Sequence, residues 1–442
     1  MKLRLIVFLV IVLTTYNLSA QITAGAANTD ITPPLGTPMP GYYFERLATN
    51  VHDKLFAKAL VLKDASKFVA LVVLDMVAID QQACEMARKR IAEDLNIPYE
   101  YIIISATHTH TGVRVTEANR EWMASKIYDA VRIASNNMVP VIVKYGSAIE
   151  EGLSFHRRFM MKDGTVKFNP GILNSNIVRP MGPIDPEVGI LKLEKLNGQT
   201  LAVVVNFAMH LDTIGGTEIS ADFPSFLTEV LKKVYGPQAE ILFGLGTCGN
   251  INHIDVSQKD ESEGFTRAER IGYALAGSVI KEDPRLQTTD IGSFQVGHQT
   301  VQINTPQYTP KEIKQAEINA KKTSELHAST PEIREAMKIL RVHKMEDKPF
   351  DIEVQTIGLG DLGIVALPGE VFVELGLDIK KKSPYKHTLI LTLNNNKLGY
   401  VPNEDAFQYG AYEVEVSNIA KGEGEKLVQA ATELLNNMKS QY

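Results

Sequence analysis

The chain has 442 residues, with 46 basic and 52 acidic side chains, a formal net charge of −6 and two cysteines. A mildly acidic chain with no Lys/Arg block lacks the footprint of a nucleic-acid protein. Cys84 and Cys248 can build neither a disulfide scaffold nor a cysteine-rich zinc module, so any metal must rest on His, Asp, Glu or Tyr.

The N-terminus reads as a secretory signal peptide over residues 1–20. Lys2 and Arg4 precede an unbroken apolar run, Leu5 to Leu13, and Leu18-Ser19-Ala20 offers a small residue before Gln21. The run is too short to span a membrane, and no later stretch is long enough, so no integral membrane span is expected. No cysteine follows it, so no lipoprotein anchor is expected either. The mature chain is expected to be secreted or periplasmic.

Strands and helices then alternate. Lys58–Lys63 and Phe68–Val77 read as strands, the second buried on both faces. Gln81–Leu95 reads as an amphipathic helix, Tyr101–Ser105 as a buried strand, Glu121–Asn137 as a helix and Val141–Tyr145 as a strand. Residues 148–187, rich in Gly, Pro, Asn and Arg, read as a long excursion, a kind of segment that often carries function. Strands follow at Gly189–Leu193, Leu201–Phe207, Glu240–Phe243, Gly292–Ile303, Ile352–Leu359 and Leu362–Leu367. Helices are expected at Pro224–Tyr235, Phe265–Ile280, Lys311–Val342 (broken near Ser329-Thr330-Pro331) and Lys421–Met438. Short apolar strands separated by helices predict an α/β layered domain with a mixed central β-sheet, one domain covering 21–442.

Five segments carry chemistry. Thr107-His108-Thr109-His110-Thr111 follows the buried strand YIIIS, at the carboxyl end where α/β sheets place their sites. In extended backbone the two imidazoles point to one side, so both could reach one metal, or one could bind metal while the other serves a substrate. His210 and Asp212 end the strand LAVVVNF. Gly244–His253, with three glycines, follows another strand. It is neither a P-loop nor a nucleophile elbow, and its Cys248 reads as a small buried thiol. Glu370 follows the strand ending at Leu367, where the helix dipole alone could explain an acid. Tyr400, Tyr409 and Tyr412 lie in an Asn-rich loop.

As a set these segments resemble the neutral ceramidase family (neutral/alkaline non-lysosomal ceramidase, N-terminal catalytic domain). The resemblance runs from Ala24-Gly25-Ala26-Ala27-Asn28-Thr29-Asp30-Ile31-Thr32-Pro33-Pro34 to the C-terminal helix. It implies one zinc ion per chain, held by His108, His210, Glu370 and Tyr400. It further implies substrate contacts from His110, from Arg157 (with Arg158 as the rival) and from Tyr412, twelve residues after Tyr400 as in the family. The implied activity is amide hydrolysis on an N-acyl, ceramide-like substrate, with transient membrane-surface contact a further expectation. Two departures stand out. Asn252 occupies the place of a family Ser, and the chain ends before the family's C-terminal β-sandwich could begin. The alternatives are a zinc hydrolase of the same fold acting on a non-lipid, glycan-derived or ester substrate, and a non-catalytic secreted metal-binding protein.

Overall fold

The computed structural model describes residues 22–42, 44–260, 262–289, 293–321, 330–345, 348–395 and 398–441. The signal-peptide reading therefore lies outside the described residues, as do Gly292 and Ser329.

Two sheets dominate among the described residues. The larger has nine strands. Its path runs 240–245, 200–207, 187–195, 139–149, 23–30, 56–63, 68–74 and 102–106, with Gln287–Thr289 pairing off the path against Val139–Ile149. Pairing is antiparallel except at two places. Strand Thr200–Phe207 lies parallel to Glu240–Leu245, and Phe68–Leu74 lies parallel to Ile102–Ala106. The smaller sheet orders Gln295–Ile303, Phe350–Leu359, Leu362–Ala366 and His387–Leu391, its last pair parallel.

The continuous apolar runs are explained by burial on both faces. Successive residues point to opposite sides of a strand. Ala57, Ala59 and Val61 enter a core under the helices, whereas Leu60 and Leu62 enter a second core against the smaller sheet. Ala70, Val72 and Leu74 divide from Val69, Leu71 and Val73 in the same way. Helices α1 (Gln81–Leu95), α2 (Arg120–Asn136), α3 (Phe223–Tyr235) and α4 (Gly264–Glu282) cover the outer face of the larger sheet.

The chain then runs through α5 (Pro310–Ala320) and α6 (Pro331–Lys344). Helix α7 (Val373–Lys382) and the C-terminal helix Glu423–Lys439 cover the far face of the smaller sheet around a third core. The order is helix, sheet, sheet, helix. The sequence reading places a helix after the Glu370 turn but gives it no range, because the ten residues of α7 are short for a periodic signal.

Polar side chains tie the sheets together at one end of the seam. The Asn206 amide donates to the carbonyls of Gly244 (2.7 Å) and Ile390 (2.8 Å). Ser105 Oγ donates to Thr392 O (2.8 Å), and Asn395 Oδ1 accepts from Ile104 N (3.0 Å). Buried and satisfied, these bonds fix the mutual register of the sheets.

Candidate metal centre

Four of the five chemistry-bearing segments leave the carboxyl end of a strand, whereas Tyr400 lies in a short strand of its own. His108 and His110 follow Ile102–Ala106, His210 follows Thr200–Phe207, the glycine loop follows Glu240–Leu245, and Glu370 follows Leu362–Ala366. This is where open α/β sheets gather ligands. The Thr-His-Thr-His segment is not extended, contrary to the sequence expectation. The strand stops at Ala106, and His108 takes φ +76°, the left-handed region that side chains rarely adopt. Several bonds hold it there. His108 N donates to Met76 O (2.7 Å) and His110 N to Leu211 O (3.2 Å), while Thr109 and Thr111 both donate to Ser220 O. Convergence of the rings therefore comes from a kinked loop, not from strand periodicity.

The result is a cluster of three imidazoles. His108 Nε2 lies 3.1 Å from His210 Nε2 and 3.4 Å from His110 Nε2. One ligating nitrogen from each ring falls within 4.8 Å of the others, so the group could hold a metal ion. Nδ1 of His108 is bonded to the Val77 carbonyl, which puts the proton there and turns the Nε2 lone pair inward. Glu370 Oε2 stands 3.3 Å from His108 Nε2, yet it is buried without a hydrogen-bond partner, as is His210 Nδ1. Nitrogens packed this closely, facing an unsatisfied carboxylate oxygen, are a donor set that a divalent cation fits.

Glu370 and Tyr400 come together through the backbone. Glu370–Val371 pairs in parallel with Tyr400–Val401, Glu370 directly opposite Tyr400, and Glu370 N donates to Gly399 O (2.8 Å). Glu370 precedes α7 and is not in its first turn, so the helix dipole does not explain it. Burial pushes the Glu370 carboxyl up, but His108, Tyr400 and Arg157 outweigh that and hold it below its usual range. Burial likewise lowers His210, and it lowers His110 to about 4, with the neighbouring His108 adding to both effects. Burial and the adjacent Glu370 hold the Tyr400 phenol well above its ordinary value.

The other expected residues divide. Arg157 is fully buried. Its Nε donates to Glu413 (2.9 Å) and its Nη2 to Gly249 O (2.7 Å), with Tyr400 beside it. Arg158 turns away, donating to Glu413 (3.1 Å) and to Gly410 O (2.9 Å). Tyr412 is half-buried, its ring 5.7 Å from that of Tyr400. Asn252 is sealed, donating to Asn169 and accepting from Ile254 N. Cys248 is sealed too, its thiol pushed far up by burial.

Two groups near the centre had no assigned role in the sequence. Arg46 is buried on a hairpin lip and donates to the carbonyls of Gly216, Pro40 and His110. Asp212 pairs with His253 (Nδ1 to Oδ1, 3.1 Å), and although burial pushes it up, His210 and His253 hold its carboxyl far below the usual range. Nothing in the sequence marks Arg46 or the pairing of Asp212 with His253, because loops from distant strands bring them together.

No family model matches the sequence. Solved structures do. The chain is similar to the crystal structure of a neutral ceramidase from Pseudomonas aeruginosa, with a TM-score of 0.74 and 16% identity over 96% of this chain and 75% of that one. A ceramidase complexed with C2 matches with a TM-score of 0.76 and 15% identity, over 96% of this chain and 76% of that one. At such identity the likeness is one of fold, and the fold is the mixed α/β arrangement of these ceramidase structures.

Proposed function

We propose that the chain is a secreted, metal-dependent hydrolase of the neutral ceramidase family, one unit over residues 21–442, that cleaves an amide bond in an N-acyl substrate. The observation that carries this reading is the convergence of His108, His210 and Glu370, with Tyr400 paired opposite Glu370, at strand ends from both sheets. These four side chains would hold one zinc ion. When bound, zinc lowers the pKa of water toward neutrality and polarises a carbonyl.

The chain's own residues supply the rest. His110 is the most exposed of the three imidazoles, so it faces the substrate and moves the proton that the departing nitrogen needs. Tyr412 donates to the oxyanion as the carbonyl becomes tetrahedral, a contact whose loss typically costs about 2.7–4 kcal/mol. Arg157, sealed behind Tyr400, acts by holding that ring and by its positive charge. A cavity of about 650 Å³ opens beside Glu370 and Tyr400, within the size range of small-molecule sites, and this supports catalysis over a closed structural metal site. Among the described residues no helix is long and apolar enough to cross a membrane.

Metal analysis of the purified chain, with hydrolysis of a panel of N-acyl amides before and after chelation, tests the reading. About one zinc per chain and chelator-sensitive amide cleavage are expected. A metal-free chain that still cleaves amides would sink it.

A further inference from the structure

Two cavities approach the candidate centre through different residues, one through Glu370 and Tyr400 and the other through His253, and their linings differ. The one that reaches Glu370 and Tyr400 has an apolar wall of Met337, Met345, Phe350 and Leu398, and its two arginines are engaged, Arg334 with Glu415 and Arg341 with Asn418. The other, about 450 Å³, is lined by His253, Lys259, Arg267 and Arg270 together with Asp255 and Asp260. Asp212 joins this second cavity to the centre. It lies two residues after His210 and is bonded to His253 Nδ1 at 3.1 Å. That bond places the proton on Nδ1 and leaves Nε2 as the free end of a ring that lines the cavity.

Among the described residues the carboxylates of this cavity are already engaged, and His253 Nε2 is its spare acceptor. Asp255 accepts from Ser257 N (2.8 Å), Ser257 Oγ (2.7 Å) and Gln258 Nε2 (2.7 Å). Asp260 accepts from Ser262 N and Oγ (2.8 Å each) and pairs with Arg267 (3.3 Å) and Arg270 (3.7 Å). Donors remain in surplus. Arg267 Nε is buried without a hydrogen-bond partner. Arg270 is 69% exposed and meets Asp260 only at long range, and Lys259 has no ion-pair partner among the described residues. A cavity with engaged carboxylates and spare donors selects an acceptor-rich guest, because a guest lacking acceptors would strand those donors, and His253 Nε2 can accept from a hydroxyl on that guest.

We propose that this second cavity is the leaving-group subsite of the same centre, and that it takes a polar amine bearing hydroxyl or carboxylate groups while the apolar cavity takes the acyl chain. The proposal rests on the amide-hydrolysis reading above. In the balanced reaction, water gives its oxygen and one hydrogen to the acyl carbon and its other hydrogen to the departing nitrogen. The C–N bond breaks, and a carboxylic acid and a polar amine leave.

The test uses the zinc-loaded full chain and three probes: N-octanoyl-glutamate, N-octanoyl-glucosamine and N-octyl octanamide. Calorimetry measures binding, and a discontinuous assay measures hydrolysis. At least one polar probe should bind ten times more tightly than the apolar amide and be cleaved with tenfold higher kcat/KM. Lys259→Met and Arg270→Met, both at exposed positions and so tolerated by the fold, should lower use of that polar probe several-fold relative to N-octyl octanamide. Equal or better use of N-octyl octanamide overturns the subsite, and so does failure of both polar probes to bind. Selective binding of a polar probe without cleavage leaves the subsite standing and overturns the amide-hydrolysis reading instead.

Discussion

His108 and His110 are two residues apart in sequence, yet their surroundings differ. His108 is buried, its Nδ1 tied to Val77 O and its Nε2 turned to Glu370 and His210. His110 is half-buried, with Gly41 so close that a Cβ there would meet its Nδ1 at 2.7 Å. His108→Ala should therefore lose most bound metal and lower the melting temperature, since an ion stabilises only the state that binds it. His110→Ala should retain metal while kcat falls about 10²–10⁴-fold. Metal content of the two variants separates the roles, and the opposite pattern would reverse them. Asp75 offers a second residue-scale test. It is fully buried, one of its oxygens has no partner, and burial raises its carboxyl to about 6. A carboxyl raised in the folded state favours folding while protonated, and that contribution is lost as pH climbs from its unfolded value of 3.8 through about 6. The shift corresponds to roughly 3 kcal/mol at most. Asp75→Asn should thus gain stability relative to the parent at pH 7.5 and lose that advantage near pH 4.5, as read by denaturant melts at both pH values.

At the scale of elements, much of the fold was legible. The run Gln81–Leu95 predicts α1 to the residue, and the apolar runs at 68, 201, 240 and 362 all prove to be strands. These patterns repeat over enough residues to register. Residues 148–187 were not legible beyond being an excursion. The three-stranded sheet there is set by short pairs such as Arg158↔Phe168, each too brief to leave a period. The site was legible in its histidines, because a motif at a strand end is local. Asp212–His253, Arg46 and the sealed state of Arg157 were not, because each depends on which loop meets which. The glycine loop shows this dependence. Gly249 N donates to Val371 O (2.9 Å), and a Cβ on Gly249 would meet Glu370 O at 2.4 Å. Gly249→Ala must push the Glu370 strand aside, at a cost of about 1–3 kcal/mol. The expected outcome is a lower melting temperature together with weaker metal retention, and normal retention would show that Glu370 tolerates displacement.

The whole molecule is two sheets joined along one apolar seam, with charged ties at its rim. Arg88 on α1 reaches across to Glu353 in the strand Phe350–Leu359 (2.6 and 3.2 Å). Burial pushes Glu353 up, but His298 and Arg88 prevail and hold it near 2. Its stabilising contribution is present above its unfolded value of 4.5 and is lost as pH falls through about 2. Glu353→Gln leaves Arg88, itself 3% exposed, without its counter-charge. The cost should fall at the low end of about 3–5 kcal/mol, since Glu353 keeps 19% exposure. A denaturant melt at pH 7 measures it, and a loss below 1 kcal/mol would mean that water reaches the guanidinium.

The candidate ligands also span the chain. His108 and His210 leave the larger sheet, while Glu370 and Tyr400 leave the segments around the smaller one. An ion held by His108 and Tyr400 would be a reversible staple closing a loop of 400 − 108 = 292 residues. In the chain-entropy account a cross-link over a 100-residue loop restrains the unfolded chain by about 4.7 kcal/mol. Each further doubling adds only about 0.6 kcal/mol. The metal would then guard the chain against proteases as well as supply its chemistry. Chelation should speed nicking of the folded protein by a protease, and restored zinc should reverse the effect.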